Sequence, residues 1–424
     1  MKPILIAALL VLCAMPAAAA QDAKQAALDL PEGAAESVIA AQCTGCHDLS
    51  RILNANHSAA EWRNVVTMMV AAGTRLSPAE KDAVARYLIE TFPERAKPHP
   101  VVIAGQVQVS FWEWEVPTPG ARPHDPLATP DGALWYTGQM ANVLGRLDPS
   151  TGAIKEYQLK TPASGPHGLV DDGAGHIWFT ANFAGYIGEL DPKSGEVKEY
   201  QLPGAARDPH TLLFDSDGVL WFTVQNANML GRLDPKTGET KLVTMATPGA
   251  RPYGMALSAD GRSVFFDLFG STKIARVDRA SMAITEFPLP DGASRPRCIA
   301  VSGDGFVWYS DYSRGRLGRL DPQIGKVTEY QSPGGPQSQP YAIAALSGAI
   351  WYVETGVQPN VLVRFDPAAE KFQTWTIPSG GGVVRNMMPT RDGNLALACS
   401  GVNGVALAEI KSRAGRRAAS REYL

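Results

Sequence analysis

The chain has 424 residues, 45% apolar and 19% charged, which excludes an extended disordered protein and suits two or three folded domains. A formal net charge of −3, with no long basic run in the body of the chain, excludes a dedicated nucleic-acid binder. The 41 glycines and 32 prolines predict frequent turns.

Residues 1–20 read as a signal peptide. Lys2 supplies the positive start, Ile4 to Leu12 an apolar core too short to span a bilayer, and Ala18-Ala19-Ala20 the small residues for cleavage before Gln21. No later stretch is long and apolar enough for a membrane span, so the mature protein is expected in the periplasm. It would keep Cys43, Cys46, Cys298 and Cys399. The last two fall in non-adjacent repeats, beyond disulfide reach, and are expected as buried thiols.

Residues 21–95 carry Cys43-Thr44-Gly45-Cys46-His47, a CxxCH motif. Two thiols one helical turn apart form thioethers to the vinyl groups of one haem c, and the adjacent imidazole reaches the iron. Cys43 and Cys46 are therefore the expected covalent haem anchors, and His47 an iron ligand. A helix is expected over Glu32 to Gln42. A second, over Ala60 to Ala72, places Trp62, Val65, Val66 and Met69 on one face. Ser77-Pro78-Ala79-Glu80 is a capping box opening a third, whose apolar stripe is Val84, Tyr87 and Leu88.

This run, from Leu30-Pro31-Glu32-Gly33 through the CxxCH and Arg51-Ile52 to Glu61-Trp62, Met69, Gly73, Leu76-Ser77 and Tyr87-Leu88, resembles the small class I cytochrome c domains appended to exported oxidoreductases. The resemblance implies an all-α haem domain with His/Met ligation, in which Met69 is the thioether ligand to the haem iron. Met68 points elsewhere on the helix, and His57 is expected as a solvated surface residue. Residues 96–103 are polar and Pro-rich, a short stiff linker with His99 exposed.

A repeat fills residues 104–410. Pro123-His124, Pro166-His167, Pro209-His210 and Pro252-Tyr253 stand 43 residues apart, Pro296-Arg297 and Pro340-Tyr341 follow at 44, and Arg385-Asn386 is a degenerate seventh copy. Each is followed by a turn, an aromatic strand such as Leu134-Trp135-Tyr136-Thr137, and a strand such as Leu144-Gly145-Arg146-Leu147. Four short strands per repeat and seven repeats predict an all-β seven-bladed propeller. A lone strand at Val107 to Val116 is expected to complete the last blade and remove its open edge. Residues 411–424 form a basic tail.

The residue after each repeat proline is expected at one mouth of the central channel, which gives a ring of His124, His167, His210, Tyr253, Arg297, Tyr341 and Asn386. Three histidines facing one another suit a divalent metal or acid–base work, or carry only inherited repeat text. Arg122, Arg251, Arg295 and Arg385 beside them would draw a small anionic substrate. His176 falls in a surface turn.

The blade text resembles the virginiamycin B lyase (streptogramin lyase) family over residues 107 to about 410. That resemblance implies seven blades, and a metal-dependent carbon–oxygen lyase in which a catalytic His shares a blade with an acid ending the WFT strand. Here those strand ends are Gly138, Ala181, Val224, Leu268, Asp311 and Glu354, so the acids fall in the blades of Arg297 and Tyr341. A cross-channel pairing would use His124 or His167 with Glu354. The candidate catalytic residues are thus His124, His167, His210 and Glu354. The haem motif favours redox over elimination: an exported mono-haem electron-transfer protein with a periplasmic redox partner, coupled at most to oxidation of a small substrate. The alternative is a lyase-like propeller with an accessory cytochrome domain.

Overall fold

The computed structural model describes residues 30–43, 49, 52, 55–71, 74–258 and 260–412. The expected signal peptide, Cys46 and His47, and all but the start of the basic tail lie outside the described residues. The chain divides into two compact units, a helical one up to Val66 and over Thr74–Arg95, and a β one containing everything from Ala96 on, with which residues 67–73 are grouped. No described helix is long and apolar enough to cross a membrane.

In the helical unit, α1 spans Glu36–Cys43, α2 Ala59–Ala71 and α3 Pro78–Thr91. α1 starts four residues later than its sequence suggests. Tyr87 explains this: its hydroxyl donates to Pro31 O at 2.5 Å, and a Cβ on Gly33 would fall 2.4 Å from its ring, so residues 31–33 lie against Tyr87 instead of coiling. α3 begins at the expected capping box, Ser77 accepting from Glu80 N and Glu80 from Ser77 N. α2 has a second one, Ser58 N donating to Glu61 Oε2 at 2.7 Å and Glu61 N to Ser58 Oγ at 3.2 Å. Ile39, Trp62, Val66, Val84, Tyr87 and Leu88 close a core on which Cys43 and Val65 are partly buried. Each large apolar side chain buried there contributes about 1.5–3 kcal/mol. His57, expected in solvent, is half-buried and stands edge-on to Trp62 at 4.8 Å. An imidazole edge carries partial positive charge and is drawn to an aromatic face.

The second unit holds seven four-stranded antiparallel sheets. Six are consecutive in the chain, from Pro123–Ala128 as the innermost strand of blade 1 to Lys371–Thr376 as the outermost of blade 6. Blade 7 is composite, its outer strand being Val107–Glu115 paired with Gly404–Ser412, from Val107↔Ser412 to Glu115↔Gly404. Circular closure by the N-terminal strand thus follows the sequence expectation: it covers the edge of Gly404–Ser412 and leaves blade 7, like the others, with one short outer edge.

Glycine in the third strand has a packing reason. The aromatic of the second strand lies across it, so a Cβ on Gly145, Gly188, Gly231 or Gly318 would sit 2.0–2.2 Å from Tyr136, Phe179, Phe222 or Tyr309. The expected linker is tied down at its end: Ile103 N donates to Thr374 Oγ1 at 2.7 Å, and Thr374 Oγ1 to Val101 O at 2.6 Å. His99 is exposed as expected. Cys399 is buried, whereas Cys298 is only partly so.

Candidate functional site at the propeller centre

Every innermost strand opens with a β-bulge. In blade 1, Pro123 pairs with Gly138 and Pro126 with Tyr136, so His124 and Asp125 together face Thr137. The threonine hydroxyl fills the gap. Thr137 Oγ1 accepts from Asp125 N at 3.0 Å and donates to His167 O, in the next blade, at 2.8 Å. Thr180 does the same with Gly168 N and His210 O, Thr223 with Thr211 N and Tyr253 O, and Ser310 with Cys298 N and Tyr341 O. The last residue of the WFT text is therefore a stitch between blades that holds the ring residues at equivalent heights.

In blade 4 the stitch is Asp267. Its Oδ1 accepts from Gly254 N at 2.8 Å, while Oδ2 is buried without a partner. Burial pushes its carboxyl well above the usual range, against the pull of Arg297.

The three ring histidines come together as expected. His124 and His167 have ring centroids 3.6 Å apart, His167 and His210 3.8 Å, and His210 and Tyr253 4.0 Å. All three histidines are 4% exposed, so water cannot stabilise an imidazolium. Burial, then neighbouring charge from Arg297, lowers His210 to about 3. Burial likewise holds His124 and His167 well below the ordinary imidazole value, with Arg122 and Arg385 acting in the same direction. All three are neutral imidazoles at pH 7.

Asp125 joins them, its Oδ1 lying 2.8 Å from His124 Nδ1. Burial raises its carboxyl to about 7, so at pH 7 the contact is a hydrogen bond between a neutral imidazole and a half-ionised carboxyl rather than an ion pair. His124, Asp125 and His167 each offer a ligand atom within 4.8 Å of the other two, and His167 Nδ1 is buried without a partner. A cavity of about 50 Å³ opens onto these residues, His210, Arg385 and Asn386.

The other half of the ring is aromatic and cationic. Tyr253 and Tyr341 share a hydrogen bond of 2.6 Å between their hydroxyls, and Arg297 Nη2 donates to Tyr341 at 3.1 Å. Glu354 lies apart from the histidines: its Oε1 accepts from Ser332 Oγ at 2.5 Å and Gly334 N at 2.7 Å. Asp311 pairs with Arg314 at 3.2 Å. Of the flanking arginines, Arg122 donates to Gln139 Oε1 at 2.8 Å, and Arg251 is exposed. His176, in its turn, bonds Asp172 at 2.8 Å.

Asp125 was not legible as a site residue from histidine counting. A signal existed, because the position after the ring residue reads Asp125, Gly168, Thr211, Gly254, Cys298, Ala342 and Met387, with one acid among neutral residues.

The virginiamycin B lyase family model matches residues 100–355 and 264–414. No curated protein matches the chain. Among solved structures, a streptogramin B lyase is 26% identical over 72% of this chain and 98% of its own, with a TM-score of 0.65. The virginiamycin B lyase of Staphylococcus aureus is also 26% identical, over 71% of this chain and 99% of its own, with a TM-score of 0.65. A catalytically inactive histidine-to-alanine form of that lyase, with quinupristin, is 25% identical over 71% and 99%, at a TM-score of 0.64. The propeller thus accounts for those chains almost end to end, and through it this chain belongs to the virginiamycin B lyase family.

Proposed function

We propose that the chain is an exported mono-haem c-type cytochrome whose propeller docks a periplasmic redox partner or a small anionic substrate. The observation that carries this reading is Cys43. It is the last residue of α1, half-buried on the apolar cluster of the helical unit, and it opens the CxxCH motif. A thioether anchor needs such a position, at a helix end beside an apolar wall able to cover a porphyrin face. Cys43 and Cys46 would hold the haem covalently. His47 and Met69 would ligate its iron, Met69 being half-buried on α2. When bound, the haem supplies one-electron transfer, and His/Met ligation leaves no open iron position. The residues of this chain would anchor it, ligate its iron and shield it from water.

The test is production under c-type maturation, followed by denaturation. Haem should remain on the chain after unfolding, be lost in Cys43→Ser/Cys46→Ser, and shift to a lower potential in Met69→Ala. Haem that washes away, or that stays bound in the double variant, would sink the reading.

A second reading rests on His124, Asp125 and His167. Neutral imidazoles and a carboxylate suit a divalent transition metal, and the unpartnered His167 Nδ1 is one lone pair or N–H awaiting a partner. This reading favours the lyase-like alternative, with the haem unit as accessory. Counting metals per haem-loaded chain separates the two. A stoichiometric second metal lost in His124→Ala/His167→Ala supports the lyase-like reading, and iron alone leaves the histidines as a packed stack.

A further inference from the structure

Blade 2 departs from the repeat at two positions that meet in space. Opposite the aromatic of the second strand, the third strand carries arginine in five blades: Arg146 faces Trp135, Arg232 Trp221, Arg276 Phe265, Arg319 Trp308 and Arg364 Trp351. In blade 2 that position, opposite Trp178, is Glu189. The residue entering the second strand is Ala133, Val219, Ser263 or Phe306 in blades 1, 3, 4 and 5, and His176 in blade 2. Both departures lie beside Asp172, which begins the turn at the end of the blade away from His167.

Each acid is held by one oxygen and presents the other. Asp172 Oδ1 accepts from the backbone N–H groups of Ala174, Gly175 and His176 at 2.8, 3.0 and 3.1 Å. Its Oδ2 lies 2.8 Å from His176 Nδ1, with Trp178 Nε1 at 3.4 Å. Glu189 Oε2 accepts from the Tyr200 hydroxyl at 2.8 Å, and Oε1 lies 3.8 Å from the same His176 nitrogen. The three ligand atoms are all within 4.8 Å of one another. Bonds of about 2.0–2.2 Å from one ion, at angles between right and tetrahedral, set nitrogen and oxygen ligands roughly 3.0–3.5 Å apart. The spacings of 2.8 and 3.8 Å bracket that range. Donors that pin the outer oxygens of the two carboxylates are the supports that orient metal ligands.

The surrounding charge favours a cation. Lys198, opposite Glu189 in the sheet, holds its ammonium over the Tyr200 ring at 4.4 Å. Asp191 adds negative charge near His176, its oxygens bonded to Lys193 N and Ser194 Oγ. The His176 side chain is 40% exposed and those of both acids 19%, so an ion can enter and keep water on its open positions. One imidazole with two carboxylates suits zinc and its neighbours, whereas calcium and magnesium take oxygen ligands alone.

We infer that Asp172, His176 and Glu189 form a divalent transition-metal site of the zinc class on blade 2, with water completing the coordination. The site is independent of the haem and of the central histidines, and it would stand if either reading of them failed.

The test uses the full haem-loaded chain, stripped with a chelator and then given Zn2+. Modification of His176 by diethyl pyrocarbonate, read by peptide mass spectrometry, should be suppressed at least tenfold by one equivalent of zinc, while exposed His99 on the same chain stays reactive. The protection should vanish in Glu189→Arg, which places at that register the residue five other blades carry and so keeps the fold. It should persist in His124→Ala/His167→Ala, and equilibrium dialysis should count one zinc fewer in Glu189→Arg than in wild type. Equal reactivity of His176 with and without zinc, protection that survives in Glu189→Arg, or protection by Ca2+ or Mg2+ as strong as by Zn2+ would overturn the inference and leave His176 as a proton-bearing bridge between two acids.

Discussion

At the scale of single residues, the centre of the propeller is governed by which atoms can donate. Thr137, Thr180, Thr223 and Ser310 each accept from one blade and donate to the next, whereas Asp267 in the same role has an idle, buried oxygen. Asp267→Thr should restore the inter-blade donor and remove a buried carboxyl, raising stability by about 1–3 kcal/mol in chemical denaturation. A loss of stability would mean that Asp267 is held there for function. The histidines add a pH dependence. A His held neutral in the fold, with its value lowered to about 3, binds fewer protons than in the unfolded chain between that pH and the ordinary value. Its contribution is fully present above about pH 6.5 and is lost as pH falls toward 3. Asp125, raised to about 7, has the opposite sign between about pH 4 and 7, and the carboxyls of Asp208, Asp267 and Glu354, also raised by burial, act with it. The histidine part is read by difference: in chemical denaturation followed by tryptophan fluorescence, His210→Gln should lose less stability than wild type as pH falls from 6.5 toward 3, and an equal loss would overturn this reading.

At the scale of the strand, the repeat text is a packing rule. The aromatic that precedes Thr lies on the glycine of the next strand, as Phe179 does on Gly188. Gly188→Ala would place a methyl 2.1 Å from Phe179 Cζ and should cost about 1–3 kcal/mol. Blade 4 bounds that figure, since Ala275 already pairs with Phe266 there, so the ring can shift once the backbone adapts. A thermal midpoint unchanged from wild type would show that the contact is softer than the spacing implies. The tryptophans follow a similar rule: Trp221 Nε1 donates to Asp215 at 2.8 Å and Trp308 Nε1 to Ser302 at 3.0 Å. Trp351 Nε1 is buried with no partner, because Leu346, the residue after the Ala345–Ile350 pair, stands where those blades carry Asp215 and Ser302.

At the scale of the molecule, ring closure depends on one strand brought from the far end of the propeller sequence. Val107–Glu115 seals blade 7 through nine paired residues, with Val109 opposite Ile410. Ser110→Pro, opposite Glu409, removes a ladder donor and bends that strand, so it should cost about 3 kcal/mol and expose an edge that pairs between chains. Unfolding curves with an unchanged midpoint, and no rise in aggregation on light scattering, would argue that blade 7 closes without it.

The period of 43–44 residues, the aromatic strands and the lone first strand determined the propeller, its seven blades and its mode of closure from the sequence alone. They could do so because each blade is built from local hairpins whose turn and strand residues recur in the text. The ring positions were equally legible, since repetition places equivalent residues at equivalent heights. Only the tertiary structure decided what the ring became. Burial made the histidines neutral, a bulge brought Asp125 onto His124, and Arg297 was packed among aromatics drawn from three blades. Glu354, an acid at the right place in the text, was turned to Ser332 instead. These outcomes depend on dehydration and on contacts across the channel, and neither is written in the spacing of one repeat.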